Sequence, residues 1–275
     1  MKKEIKKILL KTKKQVYGDM IGNRISMFNG EGFEFSELRE YIYGDDIRKI
    51  DWKSTAKLGK PFVKEYKEER ELNVVVVSLL GGTSYFGTKR QKSEVMIELV
   101  STIGFSAIKN SDLFSHYIFT DKVESFIKPT KKLFGIHKAV NDCDEFSPLG
   151  KEVDYDELVS FISNRVRKKS LLFIIGDFVG DIDLSILSKR HDIFALIVRD
   201  KFEENPTNLG YIRLKDMESD NSIESDIDSS ILSQYTKAIR DNDTKLYRDF
   251  KKQGIRFVKI YTDEDATKKF IKKMR

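Results

Sequence analysis

The sequence predicts an α/β fold with a doubly wound, mostly parallel β-sheet flanked by helices. An N-terminal helix and an extension rich in charged and aromatic residues precede this sheet. Two observations support the prediction. Short apolar runs such as 72–80 and 171–175 are nearly continuous, as in strands buried on both faces of a parallel sheet. Segments with helical apolar spacing lie between such runs, as expected for crossover helices.

The N-terminal quarter of the chain is predicted to form the helix and the extension. Apolar residues recur at helical spacing between lysines in 4–17, which predicts an amphipathic helix docked on its own domain. The apolar stripe is narrow, so binding to a membrane surface is the weaker alternative. Residues 33–41 and 61–66 have the pattern of strands. The predicted domains are therefore 1–70 and 71–275.

Strand and helix patterns alternate through the second domain. The predicted strands cover 72–80, 116–121, 123–129, 171–175, 193–198 and 256–261. The predicted helices cover 92–109, 131–141, 154–167, 184–189, 231–253 and 266–274. Asp154 can cap the third of these helices, and Gly254 can stop the long fifth one. Residues 211–225 suggest a hairpin around Asp220 and Asn221.

The formal net charge of +6 is concentrated at the two ends of the chain. Residues 1–14 carry +6 and residues 268–275 carry +5, so the remaining residues carry −5. A mildly acidic body disfavours a broad nucleic-acid surface, which needs basic residues on one folded face. The basic ends leave open a contact with nucleic acid, an acidic partner or anionic lipid.

Cysteine usage and hydropathy favour a cytoplasmic protein. The chain has one cysteine, Cys143, so it can form no intrachain disulfide, which fits a reducing compartment. The apolar runs are too short to span a bilayer. Lysines interrupt the apolar residues at the start, unlike a signal peptide. We therefore expect no integral membrane segment, although a peripheral contact stays possible.

The extension centres on a segment that contains the only tryptophan of the chain, Trp52. Gly44 permits a turn with positive φ, and Asp45 or Asp46 can then cap a short helix. We expect Trp52 to point inward with its apolar neighbours Ile47 and Ile50, beneath a cluster of ion pairs that includes Arg48 and Asp51. A buried Trp52 would make Trp52→Ala destabilising by about 3–5 kcal/mol.

This segment resembles the signature of the domain-of-unknown-function 58 family, DUF58. The matching residues are Arg39, Glu40, Tyr41, Gly44, Asp45, Asp46, Arg48, Asp51 and Trp52. The resemblance implies that a von Willebrand factor A-like, Rossmann-like domain follows the signature. It also implies a non-enzymatic adaptor without a cofactor, working with a MoxR-type AAA ATPase in the assembly or activation of other proteins. The signature residues would form its interface or the scaffold of one.

The resemblance also implies a metal site at the carboxyl edge of the sheet, where the pattern Asp-x-Ser-x-Ser supplies a carboxylate and two hydroxyls. Aligned on Phe86 and Gly87, these three positions are Leu79, Gly81 and Thr83. Leucine and glycine have no side-chain oxygen. A second carboxylate is retained as Asp177. One carboxylate and one or two hydroxyls are poor ligands for Mg²⁺, so we expect a degenerate site that binds no metal.

Two other functions are compatible with the sequence. A metal-dependent hydrolase or nuclease could combine Asp177 with Asp45, Asp46 or Asp51. Association with nucleic acid or a membrane surface could use the basic ends. The three histidines, at 116, 137 and 191, lack the spacing of metal ligands. Acidic neighbours disfavour a reactive thiolate at the single cysteine.

Overall fold

The computed structural model describes residues 3–18, 34–67, 71–207, 210–215, 217–218, 222–227 and 229–274. By its internal contacts the chain divides into two units. The large unit comprises residues 1–25 and 73–275, and the small unit comprises residues 26–72.

The strands agree with the predicted segments to within a few residues. They are β1 Glu34–Glu40, β2 Phe62–Lys67, β3 Asn73–Leu79, β4 Leu113–Phe119, β5 Val123–Thr130, β6 Leu171–Gly176, β7 Asp192–Arg199, β8 Gly210–Lys215, β9 Ser222–Ile227 and β10 Arg256–Tyr261. The predicted hairpin at 211–225 is confirmed, because β8 pairs with β9 in antiparallel register. Its expected turn residues, Asp220 and Asn221, lie outside the described residues.

Most helices also agree with the predicted segments to within a few residues, but the short helices at 52–58 and 201–204 were not predicted. They are α1 Lys3–Gly18, α2 Trp52–Leu58, α3 Lys92–Lys109, α4 Leu133–Glu145, α5 Tyr155–Arg165, α6 Ser185–Ser188, α7 Lys201–Glu204, α8 Ser229–Lys252 and α9 Ala266–Met274. Short 3₁₀-helices span Ile47–Lys49 and Gly82–Tyr85. Asp154 caps α5 by accepting from the Glu157 N–H, and Gly254 follows α8 with φ +69°. No helix in the described ranges is long and apolar enough to cross a membrane.

The large unit contains a six-stranded sheet with the order β10-β7-β6-β3-β4-β5. Its strands are parallel except β5, which pairs with β4 in antiparallel register. The chain starts in the middle at β3, adds strands on one side and then crosses to the other side. The predicted α/β class with a mostly parallel sheet flanked by helices is therefore confirmed.

Alternate residues of β3 supply the two apolar faces of the sheet, because side chains along a strand point to opposite sides. Val75, Val77 and Leu79 join a buried cluster that includes Leu158 of α5 and Phe250 of α8. On the other face α3 contacts β3, β4, β6 and β7, and it is buried almost all round. α4 and α9 also pack against α3, and each of them contacts strands of the sheet as well.

α1 belongs to the large unit, so the predicted boundary at residue 70 does not describe how this helix packs. Ile5, Leu9 and Val16 are buried, and α1 contacts α3. Lys11 reinforces this placement with its Nζ 3.0 Å from an oxygen of Asp265. The predicted docking of the amphipathic helix on its own domain is confirmed. Its apolar stripe is used for packing and does not face outward.

We expect Leu9→Ala to lower the free energy of unfolding by about 2–5 kcal/mol, as other buried Leu→Ala changes do. Leu9 is 4% exposed, whereas its neighbour Leu10 is 70% exposed. Leu10→Ala is therefore the matched control and should change stability by less than about 0.5 kcal/mol. Urea unfolding followed by circular dichroism measures both. Equal effects of the two substitutions would contradict the packing of α1 on α3.

Candidate functional site

The loop after β1 is closed by a two-bond ion pair in the small unit. Arg39 Nη1 lies 2.6 Å from Asp45 Oδ2, and Nη2 lies 2.8 Å from Oδ1. The Ile42 N–H also donates to Asp45, at 2.9 Å. The hydrogen bonds from Arg39 and Ile42 favour the ionised carboxyl and lower the pKa of Asp45 to about 2. Gly44 has φ +106°, which confirms the predicted turn.

Asp46 and Asp51 each begin a helix. Asp46 accepts from the Arg48 N–H at 3.0 Å and caps the 3₁₀-helix, while the Arg48 guanidinium lies 3.0 Å from the same carboxylate. The predicted pairing of Arg48 is thus confirmed with Asp46, but the pair is exposed and contributes little stability. Asp51 caps α2 by accepting from the Lys53 N–H and the Ser54 hydroxyl.

Glu40 and Tyr41 join β1 to the chain that precedes β2. The Glu40 carboxylate lies 3.1 Å from Lys60 Nζ. The Tyr41 N–H donates to the Pro61 carbonyl at 2.8 Å. The charged signature residues therefore act locally: they hold the turns of the small unit in place.

The expectation that Trp52 and Ile47 point inward is wrong. Trp52 is 68% exposed, and Ile47 is also exposed. Each is the first residue of its helix, directly after the capping aspartate, and neither helix has a buried residue. In the described part of the small unit, a hairpin and two short helices provide no second layer that could enclose an indole ring, and Val63 of β2 is buried instead. The expected 3–5 kcal/mol cost of Trp52→Ala no longer applies.

The small unit exposes several large apolar side chains close together in sequence, which we call the Trp52 surface. Its members are Ile42, Tyr43, Ile47, Trp52 and Leu58. Residues 48–60 carry five basic side chains and one acidic side chain. Exposed apolar groups among polar ones are typical of protein-interaction sites.

The carboxyl edge of the six-stranded sheet brings together Thr83 and Asp177. Thr83 lies in the 3₁₀-helix after β3, Asp177 follows β6, and these two strands are parallel neighbours. The Thr83 hydroxyl donates to Asp177 Oδ2 at 2.7 Å. Phe178 then turns the chain with φ +54°, a conformation that costs free energy for a non-glycine residue. The predicted proximity of the two side chains is present.

Lys92, the first residue of α3, also reaches this edge, and the sequence analysis missed it. The residue is 1% exposed. Its Nζ lies 3.1 Å from Asp177 Oδ2 and 2.6 Å from Glu203 Oε1. Burial disfavours the charged form, but the negative charges of Asp177 and Glu203 outweigh it and raise the pKa of Lys92. The sequence offered one indication of this ion pair. A helix that is apolar all round is expected to be buried, and a lysine in a buried helix needs a counter-charge.

Burial also works against the charge of Asp177. The positive charge of Lys92 and the Thr83 hydrogen bond outweigh it, and the pKa of Asp177 falls below its usual value. The carboxylate is therefore ionised at neutral pH. Removing one member of such a buried pair typically costs about 3–5 kcal/mol, because the remaining charge loses its partner.

Glu203 is held in position through Asp200 at the end of β7. Asp200 caps α7 by accepting from the Phe202 N–H at 2.9 Å. In return the Asp200 N–H donates to Glu203 Oε2 at 3.0 Å, which completes a capping box. Asp200 also accepts from the Thr88 N–H at 2.9 Å and from the Thr262 hydroxyl. The loops after three neighbouring strands, β3, β6 and β7, are thus connected.

The two other metal-site positions supply no ligand. Leu79 is buried in the apolar cluster between the sheet and the helices α5 and α8. A Cβ on Gly81 would lie 3.0 Å from a Glu218 carboxylate oxygen and 3.4 Å from the Lys151 carbonyl oxygen. The residues present therefore do not fit a divalent cation. Within the described ranges no group of three or more His, Cys, Asp or Glu side chains could hold a metal.

Two other candidate side chains, His116 and Cys143, are part of the core, whereas His137 is exposed. His116 is buried, and its Nε2 lies 2.9 Å from the Ser78 hydroxyl. Burial lowers the pKa of His116 to about 3. Cys143 lies beside it with Sγ 3.8 Å from the same nitrogen, and burial raises the pKa of its thiol. A neutral imidazole and a neutral thiol inside the fold are structural groups.

Known proteins resemble this chain over most of its length. The family model described as "Protein of unknown function DUF58" matches residues 37–245. Uncharacterised proteins of Mycobacterium tuberculosis and Mycobacterium bovis are each 24% identical over 263 residues, covering 93% of this chain and 83% of theirs.

Two solved structures share a distant likeness with the chain. One is the conserved hypothetical protein BatB from Bacteroides thetaiotaomicron, with 12% identity, a TM-score of 0.43, and 74% of this chain and 97% of that chain covered. The other is an aerotolerance-related membrane protein from Bacteroides fragilis, with 10% identity, a TM-score of 0.46, and 74% and 98% covered. Both are too distant to bear on this chain.

We expect Asp177 to stabilise the protein at neutral pH and to lose this effect in acid. Its folded-state pKa lies below that of the unfolded chain, so the stabilisation is present above about pH 4 and disappears as the pH falls through the folded pKa. Urea midpoints between pH 7 and about pH 3 should fall more steeply for wild type than for Asp177→Asn. The exposed Asp241, changed to Asn, is the control and should behave like wild type. Parallel profiles for wild type and Asp177→Asn would contradict this assignment.

Proposed function

This chain belongs to the DUF58 family, and we propose that it is a non-enzymatic interaction protein that works with a MoxR-type AAA ATPase in the assembly or activation of other proteins. The exposed apolar residues of the Trp52 surface are the main support for a role as an interaction protein. The resemblance of the signature supplies the class of partner. The proposal includes a von Willebrand factor A-like large unit, which the strand order of the sheet supports, and a cytoplasmic location, which the single cysteine supports.

The Trp52 surface has the composition of a binding hot spot. Tryptophan and tyrosine contribute most to protein interfaces because they bury large apolar areas at a small entropic cost. Tyr43 and Trp52 leave most of their surface in water in the free chain. Each square ångström of apolar surface that a partner covers is worth about 25 cal/mol before the costs of association. This gives the surface a driving force for binding.

The signature residues hold this surface in one conformation. Tyr43 lies inside the loop closed by Arg39 and Asp45. Ile47 and Trp52 each follow a capping aspartate directly. Side chains that project from fixed turns lose less conformational entropy on binding than side chains on free loops. The charged and apolar residues of the signature therefore serve one role, with the first positioning the second.

The alternative functions have less support. A hydrolase would need Asp45, Asp46 or Asp51 as metal ligands, but each of these carboxylates holds its own turn or helix. Insertion of α1 into a membrane would need its apolar stripe, which is buried on α3. The exposed lysines of α1 and α9 remain available for a salt-sensitive contact with an acidic surface.

We expect Trp52→Ala to weaken binding to the MoxR-type ATPase of the same organism about 10- to 100-fold, because truncating a central tryptophan removes a hot spot. The melting temperature should stay within about 2 °C of wild type, since the ring is exposed. Phe134→Ala is the matched control, because this large-unit aromatic is 73% exposed. Biolayer interferometry with immobilised ATPase, with ATP or ADP present, measures the affinities.

If wild type binds the ATPase and Trp52→Ala binds it with the same affinity, the Trp52 surface is not the binding site. A large loss of melting temperature would show that Trp52 packs against its own chain. Wild-type protein that binds the ATPase in neither nucleotide state would refute the partner class while leaving the surface available to another protein.

A further inference from the structure

Oxygen donors from three neighbouring strand ends converge at the carboxyl edge of the sheet. Thr83 follows β3, Asp177 follows β6 and Glu203 follows β7, and these strands are adjacent and parallel. Carboxylates this close to one another are unfavourable without a counter-charge, because the surrounding protein screens charges less than water does. Such an arrangement needs a cation between its members.

Lys92 supplies a cation from within the chain. Its stem runs from the start of α3 into the protein, and its ammonium lies 3.1 Å from Asp177 Oδ2 and 2.6 Å from Glu203 Oε1. The same oxygen of Asp177 accepts the Thr83 hydroxyl. The ammonium therefore lies where the retained carboxylate and hydroxyl of the implied metal site would direct their oxygens.

We infer that Lys92 is a tethered replacement for a divalent cation: its ammonium occupies the position of the metal and holds the loops after β3, β6 and β7 together without one. An ammonium bonds to oxygens at hydrogen-bond distance and has no octahedral requirement. Mg²⁺ would need several oxygens at about 2.0–2.1 Å, which the lysine stem prevents.

A replacement for a metal and an ordinary buried ion pair differ in how the protein responds when Lys92 is removed. If Lys92 stands in for a metal, then removing its side chain uncovers a latent cation site formed by Asp177, Glu203 and Thr83. If the pair is only a stabilising contact, its loss destabilises the protein and no metal restores the stability. The two cases differ in the response to metal, independently of the proposed partner.

The test compares the response of full-length variants to Mn²⁺. Wild type, Lys92→Ser, Lys92→Met and the double variant Lys92→Ser with Asp177→Asn are melted with and without about 10 mM MnCl₂, against NaCl of equal ionic strength. Lys92→Ser leaves space and adds a hydroxyl, whereas Lys92→Met fills the space with an apolar chain. Lys89→Ser, at an exposed lysine before α3, is the matched control.

Lys92→Ser should melt below wild type and recover by about 3–6 °C in saturating Mn²⁺, with one site per chain in titration calorimetry. The double variant, Lys92→Met, Lys89→Ser and wild type should show no saturable recovery. The melting temperature of wild type should also be unchanged by a chelator.

Saturable one-site binding of Mn²⁺ to wild type, lost in Asp177→Asn, would overturn the inference, because a metal would then fit beside Lys92. Folded Lys92→Ser without any response to Mn²⁺ would overturn it as well. If Lys92→Ser does not fold in the absence of metal, it is refolded from urea with and without Mn²⁺. Recovery only with Mn²⁺ supports the inference, and failure in both conditions refutes it.

Discussion

The large unit depends on the neutralisation of partly buried carboxylates where its parallel strands end. A parallel sheet directs the ends of β3, β6 and β7 to one edge, so the loops that follow them meet there. Asp177 and Glu203 bring two negative charges into this crowded place. The Lys92 ammonium, at the start of α3, neutralises these charges, and the capping box of Asp200 fixes the orientation of Glu203. Without this cation the carboxylates in the loops after β6 and β7 would repel each other, and the loop after β3 would lose the lysine that connects it to them.

The acidic side chains of the small unit also have partners, although they lie near its surface. Its aspartates are satisfied one by one, by Arg39 for Asp45 and by helix N–H groups for Asp46 and Asp51. Local satisfaction of this kind requires no core, which suits a hairpin with two short helices. It also explains why the charged pattern of the signature says little about burial. The acids shape the backbone, and the apolar residues next to them are left in the solvent.

The sequence was sufficient for the features that depend on local pattern. The Val-rich runs give the buried strands, Gly44 and Gly254 have the positive φ expected of them, and Asp154 is a helix cap. Fold topology brought Thr83 and Asp177 together as expected. These features follow from propensities, capping and the geometry of parallel sheets, all of which act over short stretches or at strand ends.

Features that depend on residues distant in sequence could not be predicted from local patterns. Lys92 looks like an ordinary polar start of a helix until Glu203, more than a hundred residues later, is placed beside it. Trp52 looks like a core residue because hydrophobicity indicates a preference for burial but not whether a second layer exists to provide it. The docking of α1 was expected from its apolar stripe, but the sequence did not identify α3 as the helix on which it packs.

A tethered cation also constrains where recognition can take place. A bound metal at the edge of a sheet can leave a coordination position open for a carboxylate of a partner, but the Lys92 ammonium is almost completely buried between two carboxylates of its own chain. It offers no charge to an incoming acidic group. An interaction protein built on this sheet must therefore recognise its partner through other residues. In the proposed function, the Trp52 surface, with its exposed aromatic rings and basic neighbours, would meet that requirement without a metal.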